Sequence, residues 1–216
     1  MGNSLSCIFR QQIYATKFPT YVDERDAGMI EYQYLICAGK CGINMPQTRL
    51  FHSDKCQGYF GVKRFDRKKE NNETKKIHML TAAALLEIYF NQPCMDYNDL
   101  MKLTKILTNN NWDDIDNMYR RMCFNVYAHN RDDHAKNFTY IYDEENETWR
   151  LSPAYDLTYS NTYYGEHTTT VAGNGRNPGI KELTEVGVNA GLKKQYCEEV
   201  AGEIRGLVED MLNNYI

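Results

Sequence analysis

The chain has 216 residues, 42% of them apolar and 25% charged, with a formal net charge of −4. That is enough chain for one large domain or two small ones with a real core, and the bulk charge does not favour nucleic acid. No run approaches the 18 apolar residues of a membrane-spanning helix, and MGNSLSCIFRQQ lacks the apolar core of a signal peptide.

IYATKFP (13–19) alternates and predicts a strand ended by Pro19. DAGMIEYQYLICAGKCGI (26–43) predicts a helix that fades at Gly39 and Gly42. TRLFHS (48–53) and GYFGVKRFDR (58–67) predict strands, and KKENNETKK (68–76) a solvated polar loop acting as a hinge. IHMLTAAALLEIYF (77–90) is apolar nearly all round and predicts a buried helix. YNDLMKLTKIL (97–107) predicts a second helix. DDIDNMYRRMCFNVYAHN (113–130) predicts a third, with Ile115, Met118, Met122 and Val126 on one stripe. FTYIYD (138–143) and TWRLSP (148–153) flank a DEENE turn and predict a hairpin. The tail, 192–215, predicts a long helix with Leu192, Tyr196, Val200, Ile204, Leu207 and Met211 on one face. The expected division is a small mixed lobe over 1–68 and a mainly helical lobe over 69–216.

Seven scattered cysteines do not form a disulfide framework, and Cys37 and Cys41 have no second pair at zinc spacing. A reducing cytoplasm is the simplest compartment. Gly2 in MGNSLS fits a myristoylation motif only by chance.

The chemistry concentrates in RDDHAKNF (131–138). Taken alone, this is a charged loop ending a helix. SPAYDL (152–157), beyond the predicted hairpin, turns the balance towards a nucleotide–magnesium site. Asp132 and Asn137 are five positions apart, the spacing of the protein-kinase catalytic loop. One carboxylate must face the nucleophile, and a neutral oxygen must face the metal on the phosphates. Asp156 supplies a second metal carboxylate 19 residues past Asn137. A kinase also needs a strand lysine paired with a glutamate on the next helix, and Lys17 and Glu31 fit that order. GYFGVKRFDR lies before the hinge, where backbone groups hold adenine. Asp133 is expected as a loop carboxylate or a support behind the site. A metal phosphoesterase is the weaker reading of Asp-Asp-His, because His52, His78, His129 and His167 lack metal spacing.

KFP, IEYQYL, GINMPQTRL, GYFGVKRFDR, RDDHAKNF and WRLSPAYDLTYS resemble the HipA-type serine/threonine kinases, the toxins of bacterial toxin–antitoxin pairs. The resemblance implies an α+β, protein-kinase-like fold: a small, truncated mixed N-lobe and a mainly helical C-lobe with a β-hairpin at the catalytic loop. It implies ATP and Mg2+ as cofactors, with Asp132 as catalytic base and Asn137 and Asp156 on magnesium. Lys17, supported by Glu31, would contact the ATP phosphates. Val62, Lys63, Arg64 and Phe65 would lie at the adenine, and Lys136 near the transferred phosphate. His134 stands where other kinases often carry lysine and is a further catalytic candidate. Tyr155, Tyr159, Tyr163 and Tyr164 are expected around the site floor, and Arg176 against a partner or substrate.

The implied partners are a protein substrate such as a translation factor, and an antitoxin through which any DNA contact would be indirect. The family carries an amino-terminal subdomain and a phosphate-gripping loop before the lysine strand. Here 16 residues precede Lys17, with one glycine, and no such loop fits. The site residues present favour a fragment, or one half of a split kinase completed by a small partner chain, over a decayed enzyme. The alternative function is a catalytically incomplete kinase-like module that binds an antitoxin or such a partner.

Overall fold

The computed structural model describes residues 3–9, 12–18, 26–54, 56–70, 73–88, 95–162 and 164–216, with backbone alone at 3–9, 12, 17 and 18. Gly2 and Pro19 lie outside these spans.

β1 (Asn3–Phe9) and β2 (Gln12–Phe18) form an antiparallel ladder from Asn3↔Phe18 to Phe9↔Gln12. β2 matches the expected strand; β1 was not anticipated, because its polar–apolar alternation, Ser4 to Cys7, is short and gives way to the apolar pair Ile8 and Phe9. The helix α1 (Ala27–Lys40) follows, then β3 (Thr48–Phe51) and β4 (Tyr59–Lys63). The sheet runs β1-β2-β4-β3, antiparallel throughout. α1 packs on β3 and β4. The approach requires Gly28, since a Cβ there would stand 2.8 Å from the Gly58 carbonyl oxygen.

The 68–76 segment departs from expectation. It is an antiparallel pair, β5 (Arg67–Glu70) and β6 (Glu73–Lys76), in the register Arg67↔Lys76 to Glu70↔Glu73. β6 is fully exposed, so the segment is solvated as read. Glu70 pairs with Lys68 and with Lys75, and these opposite charges hold what composition alone marks as loop.

Residues 77–90 also differ. Met79–Thr81 forms β7, which adds to the next hairpin through Leu80↔Tyr140. The helix that follows, α2, covers only Ala82–Leu85, and residues 89–94 are outside the described spans. Thr81 causes the break: its hydroxyl accepts from the Ala84 N–H at 3.2 Å and caps the helix there. An apolar run carries no period to reveal such a stop.

β8 (Met95–Asp96) leads into α3 (Tyr97–Leu107). The Asp96 carboxylate accepts from Asn98 N–H at 2.9 Å, and Asp99 reaches back to Asp96 N–H at 3.3 Å, a capping box. α4 (Trp112–Tyr127) is capped by Asn111 and carries Asp113 and Asp114 in its first turn, where the helix dipole favours them. β9 (Thr139–Asp143) and β10 (Thr148–Leu151) form the expected hairpin. β11 (Thr169–Thr170) pairs in parallel with β8.

Two helices close the chain: α5 (Ile180–Asn189), which was not anticipated, and α6 (Lys194–Leu212), the long helix expected over 192–215. α5 went unread because a loop with three glycines precedes it. Its start is set by Glu182, which accepts from Gly179 N–H at 2.9 Å. Gly187 lets α5 close on α4 and α6, since a Cβ there would lie 2.4 Å from Cys197 Sγ and 2.8 Å from a Tyr119 ring carbon. One contiguous core spans Tyr34 and Phe60 near the first sheet, Tyr97, Tyr119 and Phe124 among the helices, and Ile204 and Val208 on α6. No helix among the described residues is long and apolar enough to cross a membrane.

Candidate functional site

The loop that follows α4 carries Asp132, Asp133 and His134, then one turn of 3-10 helix at Ala135–Asn137. That turn closes when Asn137 N–H donates to the His134 carbonyl at 2.8 Å. The Asn137 side-chain amide then donates from Nδ2 to the Asp132 backbone carbonyl at 2.8 Å. With its nitrogen so used, Asn137 keeps its amide oxygen as an acceptor that could ligate a cation.

Asp132 is exposed at its side chain. Its carboxyl is held above the ordinary carboxylate range by burial of its surroundings, with Asp156 and Asp133 adding in the same direction and His134 opposing. The like-charge effect of Asp156 places the two carboxylates in one field. Asp156 has a φ of 54°, the left-handed region that a non-glycine residue adopts at a cost. Its neighbour fixes it there: Tyr155 donates to the Lys136 carbonyl at 2.7 Å and accepts from Thr139 Oγ1 at 2.5 Å. The segment carrying Asp156 is thus bonded to the loop carrying Asp132 and Asn137.

One carboxylate and one amide oxygen fit a hard divalent cation such as magnesium. Among the described residues no three His, Cys, Asp or Glu side chains converge on a point. Asn137 and Asp156 would therefore share magnesium with phosphate oxygens and water, its usual arrangement.

Asp133 faces inward, 1% exposed. It accepts from Tyr97 Oη at 2.9 Å, pairs with His167 Nδ1 at 2.9 Å and accepts from Thr169 N–H at 3.1 Å. Behind it, Asn125 Nδ2 donates to Tyr97 Oη at 2.9 Å, and Asn130 Nδ2 to Asn125 Oδ1 at 3.0 Å. Asp133 is a buried anchor of the loop. His134 lies 3.7 Å from Asp132 Oδ1 through Nε2, and its Nδ1 is buried without a hydrogen-bond partner among the described residues.

Lys17 is on β2 opposite Ser4, and its side chain falls outside the described residues. Glu31 is buried on α1 at 8% exposure. Val62 and Lys63 end β4, and Lys63 N–H donates to the Gln47 carbonyl at 2.8 Å. The Arg64 guanidinium is bound twice to Asp66, at 2.8 and 2.6 Å. The Phe65 ring lies 5.8 Å from that of Tyr155, joining this segment to the Asp156 loop. Lys136 is exposed beside Asn137.

Of the floor tyrosines, Tyr155 is in place and Tyr164, 82% exposed, is not; Tyr163 lies outside the described residues. Arg176 pairs with Glu166 at 3.0 Å.

Sequence reasoning missed Arg121. It is 2% exposed, donates from Nη2 to the Ser152 carbonyl and from Nε to Asn117 Oδ1 at 3.1 Å, and so holds the strand end that leads to Asp156. Burial pushes its pKa down to about 10. Arg121 lies off the stripe of Ile115, Met118, Met122 and Val126, so the pattern gives no sign of its burial.

A HipA chain from Shewanella oneidensis MR-1, solved with HipB and operator DNA as a toxin–antitoxin system, superposes with a TM-score of 0.79 at 16% identity. The match covers 97% of this chain and 56% of that one, so the chain spans a little over half the length of that relative. The Helicobacter pylori proinflammatory kinase CtkA superposes with a TM-score of 0.58 at 10% identity, covering 98% of this chain and 92% of that one. These likenesses show a shared kinase-like fold. No curated protein matches in sequence. Residues 7–212 match the HipA-like C-terminal domain, and the chain belongs to that family.

Proposed function

We propose that the chain is the nucleotide-binding and catalytic part of an ATP- and Mg2+-dependent serine/threonine protein kinase, with a small lobe over 1–68 and a larger one over 69–216. The observation that carries this reading is the Asn137 amide bond to the Asp132 carbonyl, beside Asp156 in its left-handed conformation. In this reading one loop would carry the base and one oxygen ligand, and the segment bonded to it the second ligand.

Asp132 would accept the proton of the substrate hydroxyl. Asn137 Oδ1 and Asp156 would hold magnesium, which neutralises charge on the phosphates when bound. Lys17 would orient the phosphates, steadied by Glu31. The backbone of Val62, Lys63, Arg64 and Phe65 would line the adenine, with the Arg64 side chain committed to Asp66. Lys136 would lie near the transferred group. His134, at 3.7 Å, is close enough to Asp132 to bias its carboxylate without bonding it tightly.

The family supports a protein substrate such as a translation factor, an antitoxin partner, DNA contact only through that antitoxin, and a bacterial cytoplasm. A binding module for an antitoxin or a small amino-terminal partner is the second reading. The chain's coverage of 56% of the Shewanella HipA favours asking whether more polypeptide is needed for turnover.

The test is calorimetric titration with ATP, with and without magnesium, beside a phosphorylation assay. Magnesium-dependent binding lost in Asp156→Ala, with transfer lost in Asp132→Asn, is expected. Phosphorylation that persists in Asp132→Asn sinks the kinase assignment. Binding without transfer in the wild-type chain would turn the reading to the module.

A further inference from the structure

The helix α3 presents two faces. Tyr97, Leu100, Met101 and Thr104 are buried, and Tyr97 bonds Asp133. Lys102 and Ile106, one helical turn apart, are exposed, Ile106 at 64%. Beside them, against the C-terminal end of α5, is a hollow of about 380 Å³. Buried Met101 and Ala190 and the exposed Ile106 line it with apolar surface, and the rest of the lining is two lysines, Lys102 and Lys105, and three asparagines. Among the described residues no carboxylate lines it, although the chain carries a net charge of −4.

The fold uses only part of this polar lining. The Lys105 ammonium donates to the Ala190 carbonyl at 2.9 Å, a cation at the C-terminus of α5, where the helix dipole favours it. Two of its three donors remain. Asn189 spends its amide nitrogen on Asn98 Oδ1 at 3.1 Å and keeps its oxygen. Asn110 uses its backbone N–H on the Lys105 carbonyl at 2.8 Å. Among the described residues the Asn110 side chain makes no hydrogen bond, and Lys102 makes neither a hydrogen bond nor an ion pair. Helix capping therefore accounts for Lys105 alone. Lys102, the Asn110 amide and the apolar Ile106 side chain stand around one hollow with nothing in the fold to answer them.

We propose that this hollow docks a segment of a protein partner that carries a carboxylate beside an apolar side chain, an aspartate or glutamate next to a residue such as leucine or phenylalanine. The carboxylate would accept charge-assisted hydrogen bonds from Lys102 and Lys105 and a further one from the Asn110 amide. The apolar side chain would cover Ile106 and Met101. A free small anion would answer the lysines but leave Ile106 in water, so charge and apolar surface together select a polypeptide. The docking face is the side of α3 away from Tyr97, so an occupant here leaves the hydrogen bonds of Asp133 in place.

The test uses the full chain and no nucleotide, so a failed kinase assay and a failed docking site remain distinguishable. Random heptapeptides displayed on phage are selected against the chain at low salt. The selected sequences are then synthesised with blocked ends and titrated by fluorescence anisotropy. Enrichment of an acidic residue adjacent to an apolar one is expected. Affinity should fall about tenfold or more in Lys102→Glu and in Ile106→Ser, and as far when the peptide carboxylate is replaced by its amide. Both side chains are exposed, and circular dichroism checks that both variants keep the fold. No enrichment, or an affinity that either variant leaves unchanged, overturns the proposal. Full displacement of the peptide by inorganic phosphate at the same concentration also overturns it, since the hollow would then be a site for small anions alone.

Discussion

Asp133 and His167 are 34 residues apart in sequence and form a 2.9 Å pair, with side chains 0% and 2% exposed respectively. The pair joins the loop before β9 to the segment before β11, and Tyr97 and Thr169 fill the remaining acceptor positions of the carboxylate. Breaking a buried pair from one side leaves the other group unsatisfied, which costs about 3–5 kcal/mol. Asp133→Ala is expected to lose that much stability in urea denaturation. His167→Ala should lose a similar amount, and the double variant less than the sum, because the two report one interaction. Additive losses would show that they act separately.

Asp132 presents the opposite case, a carboxylate the fold works against. Its folded pKa is raised, chiefly by burial and further by Asp156 and Asp133. A raised folded value means the carboxyl contributes stability below its unfolded pKa and loses it as pH rises through the folded one. At pH 7 the ionised group is therefore a burden. Asp132→Asn should raise stability at pH 7, by no more than about 1 kcal/mol because solvent screens an exposed side chain. The gain should vanish in acid, while phosphoryl transfer is lost at every pH. Thermal melts from pH 3 to 8 decide it; a variant less stable at pH 7 would mean that Asp132 is structural.

Asp66 runs the other way. Hydrogen bonds from Arg64 hold its carboxyl below the ordinary range, with the Arg64 and Arg67 charges adding to the effect. A depressed folded pKa contributes stability above the unfolded value, about 3.9, and loses it as pH falls through the folded one. Asp66→Asn is expected to cost about 1.5–3 kcal/mol at pH 7, the range for hydrogen bonds to charged groups. The gap to wild type should narrow as pH falls below about 4. A gap that does not narrow in acid would assign the loss to shape rather than charge.

Local chemistry made much of this legible. The spacing of Asp132 and Asn137, and the SPAYDL segment after a hairpin, are short-range patterns, and the structure puts them on adjoining, hydrogen-bonded segments. The supports were not legible. His167 meets Asp133, and Arg121 meets Ser152, across 34 and 31 positions, and nothing in either local sequence marks the partner. Thr81 shows the same limit at short range: inside an apolar run its hydroxyl ended one element and capped the next, where pattern promised a single helix.

Arg121 separates fold from site most sharply. Its partners are the Ser152 carbonyl and the Asn117 amide oxygen, both neutral, and its Nη1 is buried without a partner among the described residues. Removing it therefore strands no buried carboxylate, and loss of an uncompensated cation offsets the carbonyl left unbonded. Arg121→Met, close in length and apolar, should change stability by less than about 1.5 kcal/mol, as replacements of buried charge by apolar groups often do. The Ser152 carbonyl, though, is four residues before Asp156, whose strained backbone needs its surroundings fixed. Magnesium-dependent ATP affinity should fall about tenfold, equivalent to about 1.4 kcal/mol. Calorimetry and urea denaturation on the same preparation test both halves. A large stability loss with unchanged affinity would make Arg121 part of the core alone; the expected split would make it a residue that positions Asp156.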